Sequence, residues 1–229
     1  MEKRNFDENK LNISLVNRWE NAWQEPLFKQ KLIVGMSIFV SLMPIFPFFF
    51  QYIQKRNGFH QNDVILQHLP AHDVSIPIFI ITWFMAVLAI IRAVQDPTIF
   101  ITFLYGFIIL NISRFISILL IPCNPPADLI AITDPISNFF YGKSYVTKDL
   151  FYSGHTATQF LIFLCLRNRN EKILGIIATV LMGILVLVQH VHFTIDVIFA
   201  PLFTYISYYI SVQILYSKRI VLIPMKRNL

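Results

Sequence analysis

Lys148-Asp149-Leu150-Phe151-Tyr152-Ser153-Gly154-His155-Thr156 and Gln189-His190-Val191-His192-Phe193-Thr194-Ile195-Asp196 bracket an apolar hairpin whose turn is the charged run Asn168-Arg169-Asn170-Glu171-Lys172. If both arms are membrane helices, the chain leaves one face of the bilayer near His155, turns on the far side and returns near His192. The two polar clusters then meet at one face. Outside the hairpin the chain supplies further apolar segments of about 20 residues, the length that crosses a hydrocarbon core. The six segments run roughly 31–53, 74–94, 97–122, 150–167, 172–191 and 193–215. A chain that is 55% hydrophobic and only 14% charged, with mean hydropathy +0.58, does not have the composition of a soluble domain. Uninterrupted apolar runs also lack the alternation of barrel strands. The expected fold is all-α: a polytopic membrane protein with six transmembrane helices in one bundle over 31–216. A cytoplasmic tail with an amphipathic interfacial helix (1–30) precedes it, and a basic cytoplasmic tail (217–229) follows.

Charge sets the orientation. With the N-terminus inside, fourteen of the Lys and Arg residues fall on inner segments and four on outer loops (Lys55, Arg56, Lys143, Lys148), which follows the positive-inside rule. Both termini are then cytoplasmic, and His155 and His192 extracytoplasmic. The net charge of +6 is distributed by loop in this way, so it argues against a nucleic-acid partner. Cys123 and Cys165 belong near opposite ends of their spans and read as two free thiols. The polar first thirty residues and the long first apolar run argue against a cleavable signal peptide.

Leu11, Leu15, Trp19 and Ala22/Trp23 recur at helical spacing, which suits a helix on the inner membrane surface or one packed on the bundle. Pro44 and Pro47 are expected to kink the first span. His60, His68 and His72 with Asp63 and Asp73 crowd the first outer loop, but their spacing matches no metal-ligand pattern, so they read as solvated. The outer loop from Cys123 to Asp149 is long and turn-rich and reads as a lid or substrate-contacting segment.

The chemistry concentrates in a few residues. A carboxylate four residues after an imidazole can accept its N–H, fix the tautomer and leave the other nitrogen free to attack, so His192 with Asp196 suits a nucleophilic histidine. His155, brought to the same surface by the other arm, suits a general acid. Arg114 lies inside the third span, where a charge is costly and faces a polar cavity or partner. Together with Ser153 and Gly154 it suits neutralisation of a phosphoryl group. Lys148 is a further phosphate-binding candidate, and Tyr152, Asp149 and His190 are candidate substrate contacts. Two other uses of these residues are open at this point: a buried His–Asp pair serving as a proton relay, and a zinc site built from His155, His190 and His192.

Asp149-Leu-Phe-Tyr-Ser-Gly-His155-Thr and His190-Val-His192-Phe-Thr-Ile-Asp196-Val resemble the third and fourth motifs of sphingomyelin synthases, a branch of the type 2 phosphatidic acid phosphatase superfamily. The resemblance spans Arg114 to about Tyr209 and implies six spans and an outward-facing site. It further implies catalytic roles for His155, His192 and Asp196, with His192 forming a phosphohistidine, and phosphate contact by Arg114 of Ser113-Arg114-Phe115. No metal or other cofactor is implied. The superfamily's K-x6-R-P signature is absent, Val186, Leu187 and Val188 occupy the place of an expected arginine, and Leu69-Pro70-Ala71-His72-Asp73 matches the first synthase motif only loosely.

The function expected from these residues is an integral-membrane lipid phosphatase or phospho-headgroup transferase acting on a membrane lipid, with water or a lipid hydroxyl as acceptor. The competing classes are a proton-coupled transporter and a non-catalytic lipid-binding membrane protein. The transporter needs ionisable residues along the whole bundle, and the inner halves of the spans are almost purely apolar. The non-catalytic protein needs one of the three catalytic positions lost, and all are present. Substrate headgroup and oligomeric state are not legible.

Overall fold

The computed structural model describes residues 15–132 and 146–217. Expectations that fall on Leu11, on the Asp134-Pro135 turn, on Lys143 and on the basic tail from Lys218 lie outside those residues. Among the described residues the chain is helical, without a strand. The helices are α1 (15–24), α2 (Pro26–Leu42), α3 (Ile45–Lys55), α4 (Val64–Gln67), α5 (Ser75–Gln95), α6 (Pro97–Leu120), α7 (Gly154–Cys165), α8 (Arg169–Val188) and α9 (Thr194–Tyr216). Four of them, α5, α6, α8 and α9, are long and apolar enough to cross a membrane. The pair α2–α3 makes a fifth if taken as one span, bent by 41°. That bend falls at Met43-Pro44, where proline withdraws a backbone donor and crowds the preceding turn.

The segment expected as the fourth span is shorter than 150–167. Helix α7 has 12 residues, so it rises about 18 Å and falls short of a hydrocarbon core about 30 Å thick. Its start is set by Ser153, whose hydroxyl accepts from the Thr156 N–H, and its end by Leu166, which turns extended. The compensation is burial. Helix α7 packs against α5, α6, α8 and α9 at once, and Ala157 and Leu161 are wholly enclosed.

Two apolar layers fix its surroundings. Ile162 of α7 and Leu166 just past its end meet Met85 of α5 and Ala178 of α8, while nearer the start of α5 Ile78 meets Met182 and Val186 of α8. At the other end of the bundle, charges are paired between connections: Arg167 with Asp96 at 2.6 Å and Arg92 with Glu171. Helix α1 docks there too. Its half-buried positions are Leu15, Trp19 and Ala22, Trp19 Nε1 donates to the Val94 carbonyl at 2.7 Å, and the indole meets Phe28 and Phe100 edge-on. Much of the apolar stripe read from the sequence is therefore spent on the bundle.

Candidate active site

Three elements deliver the chemistry: the middle of α6 brings Arg114, the N-terminus of α7 brings His155, and the turn into α9 brings His192 and Asp196. The two arms of the hairpin are joined directly, because the Ser153 N–H donates to the Asp196 carbonyl at 3.1 Å. His155 is half-buried on the first turn of α7, where the positive end of the helix dipole favours an anion.

The four-residue spacing of His192 and Asp196 does not put both on one helix. Helix α9 begins at Thr194 with Phe193 as N-cap, so His192 stands outside it and the pairing with Asp196 does not come from a shared helical face. It comes from helix capping. Phe193 has no side-chain acceptor, but its N–H donates to Asp196 Oδ2 at 3.0 Å, which folds the chain back until His192 Nδ1 lies 3.6 Å from the same oxygen. That is just beyond hydrogen-bond length. Asp196 is 0% exposed and His192 4%, and His192 Nδ1 and Asp196 Oδ1 are buried with no hydrogen-bond partner. Orphan polar atoms of this kind are rare in folded interiors and each needs an explanation.

Arg114 is 8% exposed. Its Nε donates to the Tyr152 carbonyl at 3.1 Å and its Nη2 to Asp149 Oδ1 at 2.6 Å. The guanidinium also lies flat against Gly154, where an added Cβ would stand 2.6 Å from Nη1 and 2.7 Å from Cζ. Only glycine admits this cation at the start of α7. Two of its donor edges are already committed to the protein, so the guanidinium is held rigid.

The remaining candidates divide sharply. Tyr152 is 0% exposed, stacks on Phe203 at 4.9 Å and donates to the Leu110 carbonyl at 3.3 Å, so it is core and not a substrate contact. Asp149 is the partner of Arg114. Lys148 Nζ is bound to the Arg56 carbonyl and closes the end of α3 rather than joining the phosphate group. His190 is likewise structural. Its φ is 56°, and its N–H donates to Leu187 and the Val191 N–H to Val186, the two bonds that end a helix in a left-handed turn. Its ring Nε2 lies 2.9 Å from the Leu69 carbonyl. The loop histidines His60, His68 and His72 are exposed. Among the described residues no group of three or more His, Cys, Asp or Glu side chains could hold a metal.

Two residues that carry the site were not singled out from the sequence. Gln189, 0% exposed, accepts from the Val74 N–H at 3.1 Å and donates to Ser75 Oγ at 2.7 Å, while its carbonyl takes the Ile130 N–H at 3.1 Å. It thereby ties the start of α5 and the long outer loop to the turn before His192, and no local pattern announces it. Asp63 does have a signal, since it directly precedes the apolar run Val64-Ile65-Leu66 as an N-cap does. It accepts from the N–H groups of Ile65 and Leu66 and also takes the Thr194 N–H at 2.6 Å and its hydroxyl at 3.0 Å. One carboxylate thus caps α4 and α9 together.

Partial burial of Asp63 works to raise its pKa, but the combined donation from Thr194, Leu66 and Ile65 outweighs this and holds the carboxyl below its ordinary range. The folded-state pKa is depressed, so the contribution of Asp63 to stability is full above the ordinary carboxylate value of about 4 and is lost as pH falls through the lower folded value. Asp63→Ala is expected to cost about 1–2 kcal/mol at neutral pH and to flatten the acid limb of the melting-temperature profile. An acid limb unchanged by the substitution would remove Asp63 from this role.

Cys123 packs beside the site with Leu66, Leu150 and Phe193. Burial first, then the nearby Asp196 charge, pushes its thiol up to about 11. A thiol this far above neutral pH carries almost no thiolate, the reactive form. Maleimide is expected to leave Cys123 unmodified in the folded protein and to label it after denaturation, as mass spectrometry of peptides will read; rapid labelling of folded protein would contradict the burial.

Compared with protein-family models, with curated proteins and with solved structures, this chain finds no match in any of the three.

Proposed function

We propose that this protein is an integral-membrane enzyme that cleaves a lipid phosphate ester or diester through a phosphohistidine, in the manner of the sphingomyelin synthase and phosphatidic acid phosphatase enzymes its motifs resemble. The observation that carries the proposal is the buried His192–Asp196 pair, with its orphaned polar atoms, joined to the start of α7 by the Ser153–Asp196 bond. Asp196 faces Nδ1, which leaves Nε2 as the attacking atom. Nε2 forms a bond to phosphorus as the P–O bond to the leaving group breaks, and His155 gives that oxygen its proton. Water or a lipid hydroxyl then attacks phosphorus, the P–N bond breaks, and His155 takes the acceptor's proton. Arg114 and the first N–H groups of α7 balance the charge on the phosphoryl oxygens.

The topology we propose with this chemistry has six crossings, α2–α3 counting as one and the segment through α7 as another. Both termini are cytoplasmic, the site is extracytoplasmic, and the N-terminal helix lies at the inner membrane surface while its Trp19 face rests on the bundle. The fourteen-to-four distribution of basic residues supports this orientation. The short α7 fits a crossing whose outer part is the non-helical, protein-enclosed segment before Gly154, because non-helical backbone is tolerated at membrane depth where protein encloses it.

The test is turnover of a panel of phospholipids and lipid phosphates by detergent-purified protein, with release of phosphate or headgroup measured with and without a chelator. Chelator-resistant release supports the reading, and turnover that requires added divalent metal contradicts it. A protein inactive on every lipid offered, with and without a diacylglycerol or ceramide acceptor, also counts against it.

A further inference from the structure

Gln159 lies one turn along α7 from His155 and on the same face. It is 1% exposed, and its Oε1 has no hydrogen-bond partner. Its depth follows from its neighbours. One turn further along, Ile162 packs on Met85 and Ala178, and one layer outward Ile78 packs on Met182 and Val186. The carboxamide of Gln159 therefore sits between two apolar layers, where α5, α7 and α8 converge. Helices α5 and α7 both start at the site end of the bundle and run the same way. On α5, Thr82 falls between Ile78 and Met85, at the depth of Gln159, and its Oγ1 is also buried and without a partner.

A buried acceptor left unpaired costs about 1–3 kcal/mol, so two at one depth, below one histidine, call for a shared occupant. Gln159 Oε1 needs a donor, and the threonine hydroxyl can give or take a proton. A charged group is excluded, since these apolar layers offer it no counter-ion. An ester brings acceptors only and cannot satisfy Oε1. A hydroxyl donates to Gln159 and accepts from Thr82.

We propose that Gln159 and Thr82 form a subsite for a free hydroxyl on the lipid substrate, about 6 Å deeper along α7 than His155, from four residues at 1.5 Å each. The identity of the ligand as a lipid phosphate rests on the function proposed above. The subsite selects lipids that carry a hydrogen-bond donor close to the phosphate over fully esterified ones.

The probes are monooleoylglycerol phosphate, which has a free hydroxyl, and its O-methyl ether, which does not. Binding to detergent-purified wild type, Gln159→Leu, Thr82→Val and His192→Ala is read by quenching of intrinsic tryptophan fluorescence, with melting curves to verify folding. Wild type is expected to hold the free hydroxyl ~10-fold more tightly than the ether. Each of the first two variants should bring that ratio close to one, and His192→Ala should keep it. Thr82→Val is nearly isosteric and carries the test if Gln159→Leu does not fold. Equal binding of the two probes by wild type, binding of neither, or a ratio that survives both substitutions overturns the subsite and leaves only a trapped water between Gln159 and Thr82. A His192→Ala protein that retains turnover while Gln159→Leu loses the ratio sinks the phosphohistidine and leaves this subsite standing.

Discussion

His192→Ala is expected to lower turnover of any lipid substrate by about 10³-fold or more, because it removes the atom that forms the covalent intermediate. The expected chemical signature is specific: a phosphorylated protein that survives alkali but not acid, seen with wild type and absent from the variant. Asp196→Asn is the companion. It keeps a side chain of the same size but removes the negative charge facing Nδ1, and with an amide in place of the carboxylate the imidazole is no longer held in its attacking tautomer. A fall of ~10²–10⁴-fold follows by analogy with other oriented histidines. Asp196 also accepts from the Phe193 N–H, so its variant is expected to melt earlier, whereas His192→Ala should change melting little beyond the loss of a buried ring. If His192→Ala is as active as wild type at the same protein concentration, the phosphohistidine is wrong.

Gly154→Ala is expected to be almost as damaging although it adds a single methyl group. The new Cβ would stand 2.6–2.9 Å from three atoms of the Arg114 guanidinium, and the arginine cannot yield cheaply. Its Nε and Nη2 are fixed by the Tyr152 carbonyl and Asp149, and the residue is enclosed. Either the guanidinium leaves its partners or the start of α7 shifts. Overpacking of this kind costs about 1–3 kcal/mol, and displacement by about an ångström at a reacting centre costs about 10²-fold in rate. The measurement is melting temperature together with kcat, in the single variant and in the Arg114→Leu background. The clash requires the effect of the alanine on melting to shrink once the guanidinium is gone. Equal destabilisation in both backgrounds would mean that Gly154 matters for backbone reasons alone.

Helices α5, α6, α8 and α9 were legible to within three residues at each end, because a run of about 20 apolar residues between polar ends has few physical options other than a helix. The bend at Pro44 was legible for the same local reason. What failed was the length of α7. Leu150-Phe151-Tyr152 continues the apolar character past the start of the helix, and nothing in it tells that the chain bends there and leaves the Tyr152 carbonyl for Arg114. The site divides along the same line. His155, His192, Asp196 and Arg114 stood out in the sequence because polar and charged groups are costly among apolar helices, and the structure places Arg114, His192 and Asp196 in the buried interior. Lys148, Tyr152 and His190 read as site contacts in the sequence, where type and proximity do not reveal that a lysine caps a carbonyl, that a tyrosine is enclosed or that a histidine ends a helix.

Composition and spacing alone were enough to show that this chain forms apolar helices long enough to cross a membrane and that its polar residues gather at the two ends of one hairpin, since transfer free energies of apolar and charged groups need no tertiary contacts. Only the tertiary structure decided which of those polar residues are held against the protein and which are left with unmet hydrogen bonds. Gln189 clamping the outer loop, Asp63 capping two helices and Gln159 stranded between apolar layers all depend on partners that are dozens of residues away in the chain, and hydrogen bonding at that range is set by packing.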